Sequence, residues 1–479
     1  MESYSGAAHL SNTILATQRT EPGHTHRCDI ILRQVHSKNL PRSLAVLFAV
    51  NILNFYDRQV LGALLEPIRK EFHLSDTQLG ALGTLPIVLY ALAGLPLGRL
   101  ADSGSRKRLL AAGVAVWASL TGLGGLVQSY LMLLVSRLGV YVGEAACAPA
   151  ATSWIGDLFP AERRSRALAI FMLGVPIGGA LSYAISGPAA QAWGWRAALV
   201  VAALPAVLLI PALLTLDEPA RGASEALRLP SHDRQGAVIA PPVWSILRIP
   251  TMWWIIASGA LVNFNLYALA TFFPAFLTRY HGLSVGQAGL WAGVGYAVAG
   301  IAGGAIAGAW GDRVIHKRKD GRMLSAAAAA LVAAPLALIG IRQPAGGAAA
   351  SIALIMIAYG FLNMYYGLVY SAIHDIVAPT VRATTMAIYF LAMYLCGASF
   401  GPLLTGRLSD SLARSAAHAA GSAVVGEAYR AIGLHQAMYA IPALSAALAL
   451  ALYAGSRTIA ADMARRDEPG PRAVVQSAQ

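Results

Sequence analysis

One loop pattern occurs twice in the chain and constrains the fold more than any other feature. A glycine four residues before an aspartate stands at Gly98 and Asp102, and again at Gly308 and Asp312, each time ahead of a basic run. Two further markers recur in the same order and at nearly the same spacing; they are Asn54 with Asn263, and Asp157 with Asp375. Three repeated markers in one order predict two copies of a single structural unit.

The composition places these two copies in a membrane. The chain has 479 residues, of which 57% are hydrophobic and 12% charged, about half the charged fraction of a soluble protein. Apolar stretches of about 20 residues predict twelve spanning helices; they lie near 44–66, 78–99, 109–127, 130–156, 164–186, 193–215, 250–277, 284–309, 322–341, 348–372, 382–407 and 430–455. We therefore expect an all-α membrane protein of two homologous six-helix halves, the architecture of a secondary transporter.

Polar segments set the expected domain boundaries. We predict a disordered cytoplasmic tail, two six-helix halves around a cytoplasmic connector, and a second cytoplasmic tail; these are residues 1–42, 43–216, 217–249, 250–457 and 458–479. The Ser/Ala-rich stretch 408–429 is expected to be an outward-facing loop, partly helical.

The net charge of +13 reflects membrane topology rather than nucleic-acid binding. Of 36 Lys and Arg residues, 26 fall in the tails and the even-numbered loops, eight fall on the other side, and two lie inside helices. This asymmetry predicts that both termini are cytoplasmic, in a cell inner membrane. The basic excess would contact anionic lipid.

Four charged residues lie inside predicted spans, where charge is costly and usually functional. They are Asp57 and Arg58 in the first span, and Arg137 and Glu144 in the fourth. Helical spacing puts each set on one polar face. Facing carboxylates and guanidinium groups could exchange a proton when a substrate competes for an arginine, so we predict a proton-coupling cluster. A static buried salt-bridge cluster is the alternative.

Aromatic and amide side chains mark the expected substrate cavity. In the second half they form a stripe along the tenth span, spaced i, i+4, i+7 and i+11. The predicted substrate-binding residues are Asn54, Arg58, Tyr141, Asn263, Tyr267, Tyr359, Asn363, Tyr366 and Tyr370. Such groups suit a large, partly apolar substrate. Hydrogen bonding between helices is the alternative role for each of them alone.

The two repeated loops are predicted to act as gates. Glycine permits close helix approach, while aspartate can accept from backbone N–H groups at a helix start and pair with a nearby arginine. The predicted gating residues are Gly98, Asp102 and Arg106 in one half, and Gly308, Asp312 and Arg313 in the other. We expect Asp102 to pair with Arg106, or its counterpart with Arg313, in one conformation only.

These motifs resemble the major facilitator superfamily over residues 40–457, with the doubled loop resembling its signature loop. Segments resembling the Spinster-like group are residues 54–58, 137–145, 155–160, 164–171 and 174–178. The resemblance implies two halves rocking about a central cavity, with Asp57, Arg58, Arg137 and Glu144 at the group's coupling positions. Ser103 and Ser105 depart from the usual loop, and this departure bears on the ion pairs expected for the gating loops.

We therefore predict a proton-coupled transporter of a small anionic or amphipathic solute, working as a monomer without metal or cofactor. Symport, antiport, uncoupled facilitation, and lysolipid or drug export remain open within transport. A non-transporting membrane sensor and a membrane-embedded enzyme are the rivals from other classes. The enzyme is disfavoured because the spans lack a nucleophile–base pair or a metal-ligand cluster.

Overall fold

Twelve helices in the structure, a computed structural model, are long and apolar enough to cross a membrane. The structure describes residues 22–159, 161–221, 246–377 and 382–467. Within these ranges the regular secondary structure is entirely helical. The predicted all-α fold with twelve spans is confirmed.

The first half contains helices α1 to α6. Three are continuous; they are α1 (Pro22–Phe72), α2 (Asp76–Ser103) and α3 (Arg106–Leu123). Three are interrupted; they are α4 (Tyr130–Glu144 and Cys147–Leu158), α5 (Ala161–Met172 and Gly174–Trp193) and α6 (Trp195–Ala203 and Pro205–Leu214). The break in α6 falls at Pro205, which has no backbone N–H to continue the ladder.

The second half contains helices α7 to α12. Four are continuous; they are α7 (Pro250–Arg279), α8 (Val285–Ile315), α9 (Gly321–Ile341) and α10 (Ala348–Ile376). Two are interrupted; they are α11 (Arg382–Met393 and Phe400–Ala419, joined by the π-helical turn Tyr394–Ala398) and α12 (Glu427–Ala437 and Ala440–Asp467).

Several helices run further than the sequence predicted. Helix α1 begins at Pro22, inside the predicted disordered tail, and α12 continues to Asp467. The predicted outward loop 408–429 is largely helical, since α11 reaches Ala419 and α12 begins at Glu427. Polar helix ends outside a bilayer carry no hydropathy signal, which explains the shorter prediction. Most of the connector and the end of the C-terminal tail lie outside the described residues.

Corresponding helices of the two halves begin with the same N-terminal cap. Helix α2 begins with a capping box in which Ser75 and Gln78 satisfy each other's backbone N–H groups. Helix α8, at the same place in the second half, begins with the same box made by Ser284 and Gln287. The shared cap supports the duplication inferred from the loop pattern.

The halves meet along three helix pairs at one end of the bundle. A Cβ atom added at Gly62 of α1 would lie 2.7 Å from the backbone oxygen of Ala270 in α7. One added at Gly187 of α5 would lie 3.0 Å from the Cα of Gly289 in α8. Helix α2 packs equally closely on α11. We call this the closed end, and the opposite end, which carries the connector, the connector end.

Near the connector end, glycines of α2 and α8 have no described neighbour from the other half. At Gly98 of α2 and Gly308 of α8, an added Cβ would have no atom within 4 Å outside its own helix. The same holds for Gly94 and Gly304, one turn further into the bundle. Among the described residues, these four glycines therefore lack the contacts across the halves that are made at the closed end, and we call the room beside them the open space.

Candidate functional site

Arg58 and Glu144 form a buried ion pair where the halves meet. Arg58 on α1 points its Nε at Glu144 Oε2 on α4, at 3.0 Å. Their side chains are 8% and 0% exposed. Glu144 Oε1 is buried and has no hydrogen-bond partner among the described residues. The pair thus holds a carboxylate oxygen that could accept a proton or another donor.

Asp57 and Arg137 form a second pair on the side of α1 facing the first half. Arg137 Nη1 donates to Asp57 Oδ1 at 3.2 Å, and Thr121 Oγ1 donates to Asp57 Oδ2 at 2.5 Å. Both charged side chains are almost completely buried. The structure therefore brings the four predicted charges together, but as two separate pairs. Their role in proton coupling stays a prediction.

Aromatic rings of the first half surround the Arg58 guanidinium group. Its central carbon lies 4.1 Å from the ring centroid of Tyr90, 5.0 Å from that of Phe55 and 5.9 Å from that of Tyr141. A guanidinium at these distances is attracted by the ring faces. Phe55 and Tyr90 were not among the predicted site residues.

The second half completes this aromatic cage with Tyr267 of α7 and Tyr394 of α11. Their ring centroids are 6.4 Å apart, and that of Tyr394 lies 6.3 Å from Tyr90. All three tyrosines line a cavity of about 50 Å³ together with Arg58. Such a volume holds only a few water molecules. The site is therefore assembled from both halves and would change when they move.

Tyr394 lies at a backbone irregularity that the sequence did not reveal. It begins the π-helical turn Tyr394–Ala398, and Ser399 N donates to its carbonyl oxygen at 3.0 Å. Single π-helical turns inside α-helices occur frequently at functional sites. No simple residue pattern encodes this turn.

The predicted stripe on α10 is present and borders the space between the halves. Its four members, Tyr359, Asn363, Tyr366 and Tyr370, are each half-buried rather than packed in the core. The rings of Tyr366 and Tyr370 lie 5.5 Å apart, edge to face. Asn363 donates to the Tyr359 carbonyl oxygen. The stripe is therefore a row of partly exposed rings and one amide whose tyrosines pack against the core, while substrate contact stays a prediction.

The two repeated asparagines are buried behind the cavity. Asn54 and Asn263 are 2% and 1% exposed. Asn263 Oδ1 accepts from the Tyr366 hydroxyl at 3.1 Å, and its amide donates to the Gly259 carbonyl oxygen. Asn263 thus orients a stripe tyrosine, and substrate contact by either asparagine stays a prediction.

The ion pairs of the repeated loop differ from those expected. Asp102 is exposed and makes no ion pair with a described side chain. Arg106 instead pairs with Asp157 at the end of α4 and, at 3.2 Å, with Glu218 after α6. Arg313 is exposed as well, and the side chain of Asp312 lies outside the described residues. Asp102 and Arg106 do not pair with each other in this conformation, and their pairing in another conformation stays a prediction.

A different basic residue completes the repeat in the second half. Asp375, the counterpart of Asp157, pairs with Arg322 at the start of α9, at 2.6 Å. Arg322 opens α9 much as Arg106 opens α3, so each half ties its third helix to the end of its fourth. These pairs stay inside one half. Arg313, chosen from its nearness to the loop glycine, is not the equivalent residue.

The closed end carries an ionic network that sequence reasoning missed. Arg279 of α7 donates to Glu66 of α1, and its Nη1 lies 2.8 Å from Asp76 Oδ2 of α2. Arg69 pairs with Glu66 and, at 2.5 Å, with Glu427 of α12. All but Glu427 are at most 4% exposed. Opening the halves at this end would pull these charges apart.

A carboxylate of the second half also caps a helix of the first. Asp410 of α11 accepts hydrogen bonds from the backbone N–H groups of Asp76 and Thr77, at 3.0 and 2.8 Å. The N-terminus of α8 receives a neutral equivalent, because Gln191 of α5 accepts from Gly286 N at 2.9 Å. Caps across the halves therefore reinforce the network at the closed end.

Known proteins with this sequence pattern are membrane transporters. The model of the Major Facilitator Superfamily matches residues 47–402. A protein of Mycolicibacterium smegmatis named MFS-type efflux pump is 31% identical over 371 residues, which cover 77% of this chain and 84% of that protein. Human Protein spinster homolog 1 is 29% identical over 394 residues, covering 78% and 73%.

Solved structures agree with this assignment. The crystal structure of a bacterial homologue of the human lysosomal transporter Spinster, in an inward-facing and occupied conformation, superposes with a TM-score of 0.78 at 28% identity. The match covers 88% of this chain and 97% of that one. A D-xylose–proton symporter shares the fold alone, with a TM-score of 0.60 at 18% identity. The chain therefore belongs to the Major Facilitator Superfamily of transporters, and within it resembles the Spinster group.

Proposed function

We propose that this chain is a proton-coupled symporter of an organic anion that carries an apolar part. The observation that supports this most is the buried Arg58–Glu144 pair, in which Arg58 borders the cavity between the halves and Glu144 Oε1 has no described partner. A guanidinium group binds carboxylates and phosphates in a fork geometry. An anionic substrate at Arg58 would therefore compete with Glu144.

Coupling follows from this competition. Once displaced from Arg58, the fully buried Glu144 would carry an uncompensated charge, and burial favours the neutral acid. Anion binding and protonation would then strengthen each other, because coupling between two ligands is reciprocal. Ligands that promote each other's binding are carried together. Asp57, held by Arg137 and Thr121, would orient α1.

The surroundings of Arg58 indicate the rest of the substrate. Five aromatic side chains from both halves lie around the guanidinium group; they are Phe55, Tyr90, Tyr141, Tyr267 and Tyr394. The half-buried stripe of α10 adds further ring edges and hydroxyl groups along the open space. Such walls suit an apolar body with a few polar groups.

We place the connector end in the cytoplasm of a cell whose inner membrane holds the protein, with both termini on that side. The excess of basic residues at this end supports this orientation. The structure would then be open to the cytoplasm and closed to the outside. Alternating access would break the closed-end network around Arg279 and bring the connector ends of α2 and α8 towards the opposite half. A monomer holds the complete site.

The test uses the purified protein in liposomes with a trapped pH dye. Pools of organic anions with and without apolar chains are added to the wild type, to Glu144→Gln and to Glu71→Gln. Glu71 is a control carboxylate on α1 that pairs with Arg196 away from the cavity. We expect a substrate-driven pH change in the wild type and control. We expect Glu144→Gln to lose it while the same anion still raises its thermal stability.

Other outcomes separate the alternatives. Unchanged proton movement in Glu144→Gln would overturn the assigned coupling residue, and substrate flux indifferent to a pH gradient would indicate an uncoupled facilitator. Exchange of substrate for protons is the second candidate, favoured by the relative named as an efflux pump. It predicts uptake driven by a pH gradient of the opposite sign. Thermal stabilisation by an anion without any flux would indicate a sensor.

A further inference from the structure

A second cavity lies in the second half, away from the Arg58 site. It is a groove of about 660 Å³ between α8 and α10, and none of its lining residues borders the cavity at Arg58. Every side chain that lines it is apolar, from Leu283 and Ala348 near the closed end to Ile306 and Met364 further along the helices. The groove thus offers a ligand no charged side chain, and the Trp291 indole at its rim is the one lining side chain with a hydrogen-bond donor.

Small residues create the groove. Gly303 of α8 and Gly360 of α10 lie in direct contact, so that a Cβ at Gly303 would collide with the Gly360 carbonyl oxygen. Alanines such as Ala302 and Ala353 line the cavity beside this contact. At the rim, Trp291 is half exposed. The two helices therefore touch along small residues and leave a trough between bulkier neighbours.

The position of the groove identifies its ligand. Both helices belong to the predicted membrane spans, so their exposed apolar side chains face hydrocarbon. Water would find no partner among the apolar side chains. The α10 positions from Ala348 to Met364 extend over roughly 24 Å at 1.5 Å per residue. This exceeds the ~15 Å half-thickness of a bilayer core, so the groove can hold a long hydrocarbon chain from one leaflet.

The groove lies behind residues that join the two halves. Tyr296 of α8 and Tyr359 of α10 have ring centroids 4.7 Å apart. Tyr296 also contacts Tyr183 of α5 in the first half, at 5.2 Å between centroids. Gly295, next to Tyr296, packs against the Met356 side chain, which lines the groove. A chain in the groove would therefore support the α8 surface that packs on α5.

We propose that this groove is a binding site for one acyl chain of a membrane phospholipid whose headgroup lies at the closed end. The chain fills space that the protein leaves open and that water cannot fill favourably. The site depends neither on the proposed substrate nor on proton coupling. It makes the α8–α10 pair sensitive to the length of the surrounding lipid chains.

The experiment uses the full chain in nanodiscs that contain a phospholipid with a diazirine in one acyl chain. After illumination, peptide mass spectrometry locates the label. We expect label on Met356 and Met364 in the groove. Ala302→Phe on α8 and Ala353→Phe on α10 place a ring in the groove from exposed positions. Each should lower the label about tenfold, which corresponds to roughly two methylene groups of the acyl chain losing their burial. Ala328→Phe, on the exposed face of α9, is the matched control and should change nothing.

A second measurement is independent of labelling yield. In detergent, added phospholipid should raise the melting temperature of the wild type and of Ala328→Phe, and raise it less in the two filled variants. Label spread evenly over exposed side chains such as Leu208 and Leu331 would overturn the site, since bulk lipid contact alone gives that pattern. Undiminished groove label in both filled variants would overturn it as well.

Discussion

The two ends of the bundle use ion pairs in different ways. At the closed end, Arg279 and Arg69 connect helices of opposite halves, and the charges they bind are mostly buried. At the connector end, Arg106 and Arg322 each pair inside their own half. The first kind of pair exists only while the halves stay together at that end. The second kind can persist in every conformation.

This difference separates conformational switching from folding. Breaking a pair that joins the halves should change which end is open, because only one conformation contains it. Breaking a pair within a half should weaken that half equally in both conformations. The sequence pointed to the connector-end loops as the gates, because they carry the repeated motif. In this conformation, however, the cross-half charges lie at the other end.

Removing Arg279 should give the largest effect. Arg279→Ala leaves Asp76 buried without its paired cation and Glu66 with Arg69 alone. This costs about 3 kcal/mol, which the opened state avoids by hydrating both carboxylates. We expect the population in which the halves have separated at this end to rise about a hundredfold. Distances between spin labels at Gln128 and Gly346, on exposed loops of opposite halves at that end, should lengthen accordingly.

Arg196→Ala is the matched control for Arg279→Ala. Arg196 pairs with Glu71 at the same end, but within one half and on the surface, with exposures of 36% and 42%. Such a pair contributes about 0–1 kcal/mol. The label distances should therefore match those of the wild type. Equal lengthening in both variants would mean that any charge lost at this end has the same effect.

Adding a side chain at the α5–α8 contact should have the next largest effect. A Cβ at Gly293 of α8 would lie 2.6 Å from the Ala180 carbonyl oxygen of α5. Gly293→Val should therefore cost about 1–3 kcal/mol in this conformation. Gly304→Val, on the same helix but facing open space, should leave the closed end shut. The spin-label distances distinguish the two, and lengthening in Gly304→Val would contradict the proposed opening at the connector end.

Arg322 should affect stability without affecting the conformational equilibrium. Arg322→Ala breaks a partly exposed pair with Asp375 inside the second half, at a cost of about 1 kcal/mol. We expect a lower melting temperature in detergent and unchanged spin-label distances. A shift in those distances would show that this pair also discriminates between conformations.

The smallest effect should be the pH dependence of Glu218. Burial raises the pKa of its carboxyl, but hydrogen bonds from Ser105, Arg106 and Lys107 outweigh burial and hold the pKa below its ordinary value. Its stabilising effect is thus complete above the unfolded pKa of about 4.3 and disappears as pH falls through the lower folded value. The melting temperature of Glu218→Gln should lie below that of the wild type at neutral pH. This difference should vanish in acid.

The sequence predicted the fold well because hydropathy and duplication are both strong signals. All twelve spans were found, and the repeat correctly indicated two similar halves. The charged residues of the site could also be predicted from the sequence, since a charge inside an apolar span is rare. The partners of individual charges were harder to predict. Asp102 and Arg106 are four residues apart, yet the Arg106 side chain finds Asp157, a partner that only the packing of α3 on α4 brings near.

Two parts of the site gave no signal in the sequence. Tyr90 and Tyr394 are aromatic residues in apolar spans and look like ordinary lipid-facing or core residues. The π-helical turn that begins at Tyr394 depends on hydrogen-bond geometry rather than residue type. The closed-end arginines were visible only as exceptions to the charge asymmetry. Their function depends on which half each neighbour belongs to, and local sequence does not contain that information.

Asp57 and Arg58 are adjacent in the chain, and this adjacency has a mechanical consequence. Their side chains leave α1 about 100° apart, and each pairs with a different residue of α4, Asp57 with Arg137 and Arg58 with Glu144. Because one stretch of backbone anchors both, any turn of α1 that relaxes Arg58 twists Asp57 against Arg137. Occupancy of the cavity would thereby rotate α1 and change its packing against α4. No chain of contacts between distant residues is needed for this coupling.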